Sequence, residues 1–283
     1  MKKLFTAAGV LLALVGVLLL SLPTILHKAG LHPEYNGPTA ELPGKRALII
    51  TTSHGVLAAP GETEGPATGV MASEFTHPYY TFLDGGMEVD IASIKGGEIP
   101  IDPQTLQFMV RSPEDDRYLS DDIAQAKVKN SIPIADVDIE QYDIVFLAGG
   151  WGAAYDLAQS PELATKVSDS YYGDKAAVIG GVCHGVLGLV NARARDGELL
   201  IAGRRMTGVT DKQIKELGIE LTPLHPETEL RKAGVIFESQ TAFRDLFATH
   251  VTVDDEQRFV TGQNQNSGLE TANNMMRILS ERD

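Results

Sequence analysis

The stretch Val178-Ile179-Gly180-Gly181-Val182-Cys183-His184-Gly185 constrains this chain more than any other. An apolar run of β type ends in glycines, a cysteine and a histidine follow, and another glycine opens a helix-like run. Gly181-Val182-Cys183-His184-Gly185 has the G-x-C-x-G pattern of a nucleophile elbow with cysteine at its apex. Small neighbours are needed because a strand must turn sharply into a helix there. The helix N-terminus then points its partial positive charge at the sulfur, which favours thiolate. A lone cysteine is more often a packing residue, but the adjacent His184 and the flanking glycines favour a reactive thiol. Cys183 is the only cysteine of the 283 residues, so within them there is neither an intramolecular disulfide nor a cysteine-based zinc site.

The segments around the elbow read as alternating strands and helices. Strands are predicted at 46–52, 87–93, 142–147 and from 176, and a hairpin at 250–253 and 258–261. Helices are predicted from Gly69 to about Asp84, at 154–158, from Pro161 to Tyr172 with Ser160 as N-cap, at 211–217 and 227–232, and from a Ser267 cap to Ser280. A ribbon with a turn at Gly203 is expected at 198–208. The strands are nearly all apolar, which predicts an α/β fold: an open, mostly parallel, flavodoxin-like sheet with helices on both faces. Such sheets place sites at the carboxyl ends of their strands. Three glycine-rich strand ends, 52–55, 149–152 and 181–185, are expected to meet at one crevice. A composition of 43% hydrophobic and 22% charged residues suits one sizeable core. A formal net charge of -14 argues against a nucleic-acid partner, which needs a basic stripe.

Lys2 and Lys3 precede an uncharged apolar run from Leu4 to Leu26. At about 1.5 Å per residue it is long enough for a hydrocarbon core of about 30 Å. It predicts an uncleaved signal anchor over 1–27 with a cytoplasmic N-terminus, a membrane as partner, and a periplasmic or extracellular catalytic domain. A cleaved signal peptide is the competing reading, and no A-x-A-like site supports it. Residues 28–44, rich in Pro and Gly, read as a linker. The globular domain is expected over 45–283, with an insertion at about 95–134 that covers a domain edge.

Several motifs together make the chain similar to the ThiJ/PfpI superfamily of class I glutamine amidotransferase-like folds. They are Thr52-Ser53-His54, Thr68-Gly69-Val70 with Glu74 and Pro78-Tyr79, and Asp90-Ile91-Ala92-Ser93-Ile94-Lys95-Gly96-Gly97. They continue with Ala148-Gly149-Gly150-Trp151-Gly152, Val182-Cys183-His184-Gly185, Thr207-Gly208-Val209-Thr210 and Val260-Thr261-Gly262-Gln263-Asn264. Within the superfamily the chain most resembles the glyoxalase III-like branch, which includes heat-inducible holding chaperones. The resemblance implies that Cys183 is the nucleophile, that Glu74 hydrogen-bonds its thiol, and that His184 is general base and acid. Gly150 and the His184 backbone would supply an oxyanion hole. Relatives often carry an acid that orients the histidine; Ile214 stands where close relatives often have glutamate, leaving Asp211 as the candidate and Glu216 as a weaker one. His54 and Trp151 are candidate pocket residues. The branch implies a homodimer and no cofactor or metal.

The reaction expected on this basis is glutathione-independent conversion of methylglyoxal-type 2-oxoaldehydes to hydroxy acids through a cysteine hemithioacetal. A cysteine amidase or peptidase, or a deglycase, would share the nucleophile but need a well-oriented histidine. A non-catalytic reading is a membrane-tethered holding chaperone or a redox sensor. His77, beside Pro78, reads as structural, and His225 and His250 have no metal-ligand spacing to any partner.

Overall fold

The computed structural model describes residues 2–282, with side chains from residue 13 onward. The strands are β1 (Arg46–Thr51), β2 (Glu88–Ser93), β3 (Ile132–Pro133), β4 (Ile144–Leu147), β5 (Val178–Val182), β6 (Arg205–Met206), β7 (Ile236–Phe237), β8 (Val251–Val253) and β9 (Phe259–Gly262). Seven form one sheet in the order β3-β2-β1-β4-β5-β9-β8. All its pairings are parallel except that of the terminal hairpin β8–β9. The helices are α1 (Lys2–Lys28), α2 (Ala72–Asp84), α3 (Pro113–Tyr118), α4 (Asp122–Lys129), α5 (Ala153–Asp156), α6 (Pro161–Tyr172), α7 (Asp211–Leu217), α8 (Pro226–Lys232) and α9 (Gly268–Ser280).

Successive strand residues serve opposite faces, and the sheet builds one core on each. Ala47, Ile49, Phe146 and Val178 pack with Phe75 and Phe82 of α2 and Met275 and Ile278 of α9. Leu48, Ile50, Val145 and Ile179 pack with Leu163 and Val167 of α6 and Leu230 of α8. From β1 the chain steps outward to β2 and β3, then returns to the other side of β1 for β4 and β5. The strand order reverses between β1 and β4, and the crevice at such a switch point is where open α/β sheets bind ligands.

Several elements depart from their expected form. α2 begins at Ala72 rather than Gly69, because Val70 is held in a bridge to Ile101. The insertion does more than cover an edge: it supplies edge strand β3 beside β2, and its start folds over the crevice. The expected ribbon at 198–208 is absent; Arg205–Met206 pairs in parallel with Ile236–Phe237 instead. Ser267 precedes α9 without capping it, since its hydroxyl accepts the His250 N–H at 3.2 Å.

The N-terminal expectations need the largest correction. Part of the run at 4–26 concerns side chains outside the described ones. Among the described residues, no helix is long and apolar enough to cross a membrane. The anchor, the membrane partner and the extracytoplasmic placement built on it are withdrawn. The end of α1 carries Pro23 in its interior and docks on the domain, with His27 Nε2 3.2 Å from the Arg111 carbonyl oxygen. Residues 28–44 are fastened down as well: Leu31, His32 and Leu42 are buried.

Candidate active site

β5 delivers Cys183 to the crevice. Val182 is extended, and Cys183 itself takes φ 57°, a left-handed conformation that a residue with a Cβ seldom adopts. Strain of this kind persists only where the surroundings hold it. They do so by close packing: a Cβ on Gly181 or Gly185 would lie 2.2 Å from the Leu147 carbonyl oxygen. The turn continues into a 3-10 helix over Cys183–Leu189 instead of an α-helix.

Glu74, in the first turn of α2, is fully buried against this thiol. Its two carboxyl oxygens lack a hydrogen bond of good geometry; they face the Cys183 thiol and the backbone N–H groups of Gly149 and Gly150. Burial dominates those favourable neighbours and pushes the Glu74 pKa up to about 8. Burial, and then the carboxylate beside it, likewise push the Cys183 thiol up. Two acids this close cannot both ionise easily, so they release their first proton as a pair. Of the two, the thiol is raised further, so the singly ionised pair is a Glu74 carboxylate that accepts from the Cys183 thiol. The N–H groups of His184 and Gly150 point at the same sulfur and favour its anion.

The His184 ring is fully buried, with Nδ1 3.4 Å from Cys183 Sγ. Nε2 has no hydrogen-bond partner. Burial, with His225 nearby, lowers its pKa to about 3, so the ring is neutral at ordinary pH. Asp211 does not orient it. That residue opens α7 on the surface, where it accepts a hydrogen bond from Thr228 Oγ1 at 2.8 Å. Glu216 is also engaged elsewhere, accepting the Asp245 N–H at 2.8 Å.

A cavity of about 350 Å³ opens on Cys183, Glu74, His184 and Gly150, and Trp151 is among its lining residues. His54 is not in the lining; its ring stacks on Tyr155 at 4.2 Å. The loop at 52–55 instead ties β1 to α5, through Thr52 Oγ1 and the Ser53 N–H donating to Asp156. Other lining residues escaped the sequence reading: Met71, Thr105, Val209 and Gln213, and also Leu26 and Leu31. Val209 sits inside the Thr207–Thr210 motif, a signal that could have found it. Leu26 and Leu31 had been given to an anchor and a linker. Among the described residues no group of His, Cys, Asp and Glu is placed to hold a metal ion.

The sequence model of the DJ-1/PfpI family matches residues 66–277, which contain Glu74, Gly150, Cys183 and His184. "Glyoxalase 3" of Candida albicans is 29% identical over 227 residues, 76% of this chain and 91% of that protein. The solved structure of glyoxalase III from Candida albicans superposes with a TM-score of 0.73 at 26% identity, over 83% of this chain and 97% of that one. Rapid Encystment Protein 24 KDa of Francisella tularensis superposes with a TM-score of 0.74 at 34% identity, over 83% and 99%. With this sheet order, this strained cysteine and a family match over most of its length, the chain belongs to the DJ-1/PfpI family.

Proposed function

We propose that this protein is a glutathione-independent glyoxalase that converts 2-oxoaldehydes to 2-hydroxy acids on Cys183. The observation that carries this reading is the buried Glu74 carboxyl facing the Cys183 sulfur, both lining one cavity. Relatives named as glyoxalases over most of their length support it.

The Glu74 carboxylate of the singly ionised pair takes the Cys183 proton as the sulfur adds to the aldehyde carbon, and passes it to the new alkoxide, giving a hemithioacetal. The N–H groups of Gly150 and His184, which face the sulfur, would take up the negative oxygen as it develops. Glu74, again a carboxylate, takes the proton from the former aldehyde carbon and returns it to the neighbouring carbonyl carbon by way of an enediolate, while the hydroxyl proton passes from the first oxygen to the second. The first carbon is oxidised and the second reduced, so no outside oxidant or reductant is needed. The product is a thioester of the 2-hydroxy acid. Water hydrolyses it, which restores the thiol. A group whose pKa lies near 8 can both give and take a proton at neutral pH, and it fits this relay better than an imidazole held neutral down to about pH 3.

An amidase or peptidase would need a histidine oriented by an acid, and His184 Nε2 has no such partner. The test is incubation of the full chain with methylglyoxal, without glutathione or added metal. Lactate should accumulate with the wild type and not with Cys183→Ala. Equal lactate production by both proteins would defeat the proposal.

A further inference from the structure

The cavity at Cys183 is far larger than a three-carbon aldehyde needs, and its wall is mostly apolar, with Gln104, Gln107, Gln213 and Gln265 as uncharged polar members. Leu26, Leu31, Met71, Trp151, Val209 and Phe247 contribute to it. No lysine or arginine is among the described lining residues, whereas Glu74 and Asp102 are. A phosphate or carboxylate on the substrate would find no cation to offset its desolvation.

Two of these wall residues come from a segment outside the family match, which begins at residue 66. Leu26 and Leu31 lie at the end of α1 and in the turn after it, and that turn is fastened to the domain. The Leu31 N–H donates to the Leu26 carbonyl oxygen at 3.0 Å. Asn266 accepts the His32 N–H and donates to the Gly30 carbonyl oxygen, each at 2.8 Å. His32 Nε2 lies 2.8 Å from the Val110 carbonyl oxygen. Leu31 is thereby held almost fully buried, 4% exposed. A wall positioned by this many directed bonds is preorganised and costs little ordering on binding.

We infer that Leu26 and Leu31 are specificity-determining residues, and that the preferred substrate is an uncharged 2-oxoaldehyde with an apolar tail of several carbons or an aryl ring. The dicarbonyl end sits at Cys183, and the tail lies against the wall that the N-terminal segment completes. This assignment rests on the glyoxalase reading given above and narrows its substrate.

The test compares kcat/KM of the full-length protein for methylglyoxal, 2-oxooctanal, phenylglyoxal and 3-phosphonooxy-2-oxopropanal. One methylene in an apolar pocket is worth about tenfold or more in discrimination. The wild type should therefore favour 2-oxooctanal or phenylglyoxal over methylglyoxal by at least about tenfold, and disfavour the phosphorylated aldehyde. Leu31→Ala should shrink that preference by about tenfold. Asn266→Ala, which releases the segment without trimming the wall, should shrink it in the same direction. A ratio of rates is insensitive to a loss of folded protein, so poor folding of one variant would not mimic the effect. Turnover of methylglyoxal with no gain for the longer aldehydes, or a preference unchanged in both variants, would overturn the inference while leaving the glyoxalase reading intact. No turnover of any 2-oxoaldehyde would instead defeat that reading.

Discussion

At the residue scale, the proposed chemistry rests on Glu74, a carboxyl whose pKa burial raises to about 8. Glu74→Gln preserves the shape and a donor but cannot carry a proton between carbons. It should lower kcat for methylglyoxal by about 10²–10⁴ with a smaller change in KM, as steady-state kinetics would show. Loss confined to KM would mean that Glu74 only positions the substrate. The same burial sets a pH dependence of stability. Glu74 is raised from 4.5 to about 8, so its contribution is complete below pH 4.5 and is lost as pH rises through 8. His184 is lowered from 6.5 to about 3, so its contribution is complete above pH 6.5 and is lost as pH falls through 3. The two slopes cancel between about pH 4.5 and 6.5 and leave a decline above, at most about 1.4 kcal/mol per pH unit. Thermal melting across pH should show that decline in the wild type and a flatter profile in Glu74→Gln. An equally steep profile in the variant would assign the decline to other groups.

At the element scale, local sequence signals were legible where the chain pairs with itself nearby. The start of α6 is an example: Ser160 and Pro161 take the N-cap and first helical positions, and Ser160 Oγ accepts the Leu163 N–H at 3.1 Å. Ser160→Ala should cost about 1 kcal/mol, measured by denaturant unfolding, with little change in kcat. The glycine-rich end of β4 was legible as a site but not in its geometry. Gly150 has φ +91°, and a Cβ there would lie 2.3 Å from the Met71 nitrogen. Gly150→Ala should therefore cost about 1–3 kcal/mol of stability and also impair turnover, because the N–H facing Cys183 is displaced. Full activity in that variant would remove Gly150 from the oxyanion role. The start of α2 was misplaced for a related reason. The pairing of Val70 with Ile101 joins residues far apart in sequence, and no local periodicity reports it.

At the scale of the whole molecule, the parallel sheet and the meeting of Glu74, Gly150 and Cys183 could be anticipated, because each sits in a motif of its own. What was not legible depends on where distant segments dock. Asp211 was a reasonable partner for His184 along the chain, yet α7 carries it to the surface. His54 followed a strand end, yet stacking on Tyr155 turns it from the cavity. Leu26 reads as part of a membrane span and Leu31 as linker, although the bonds of Gly30 and His32 to Asn266 and Val110 fasten the turn that brings both to the cavity wall. The composition of a segment does not reveal the surface that receives it. The central claim is that the Cys183 thiol converts a 2-oxoaldehyde within this chain alone. The most direct measurement is 2-hydroxy acid formed from methylglyoxal by the full-length protein without glutathione, beside Cys183→Ala. Catalytic, multiple-turnover product is expected from the wild type and none above background from the variant. Product formed equally by both, or by neither, would contradict it.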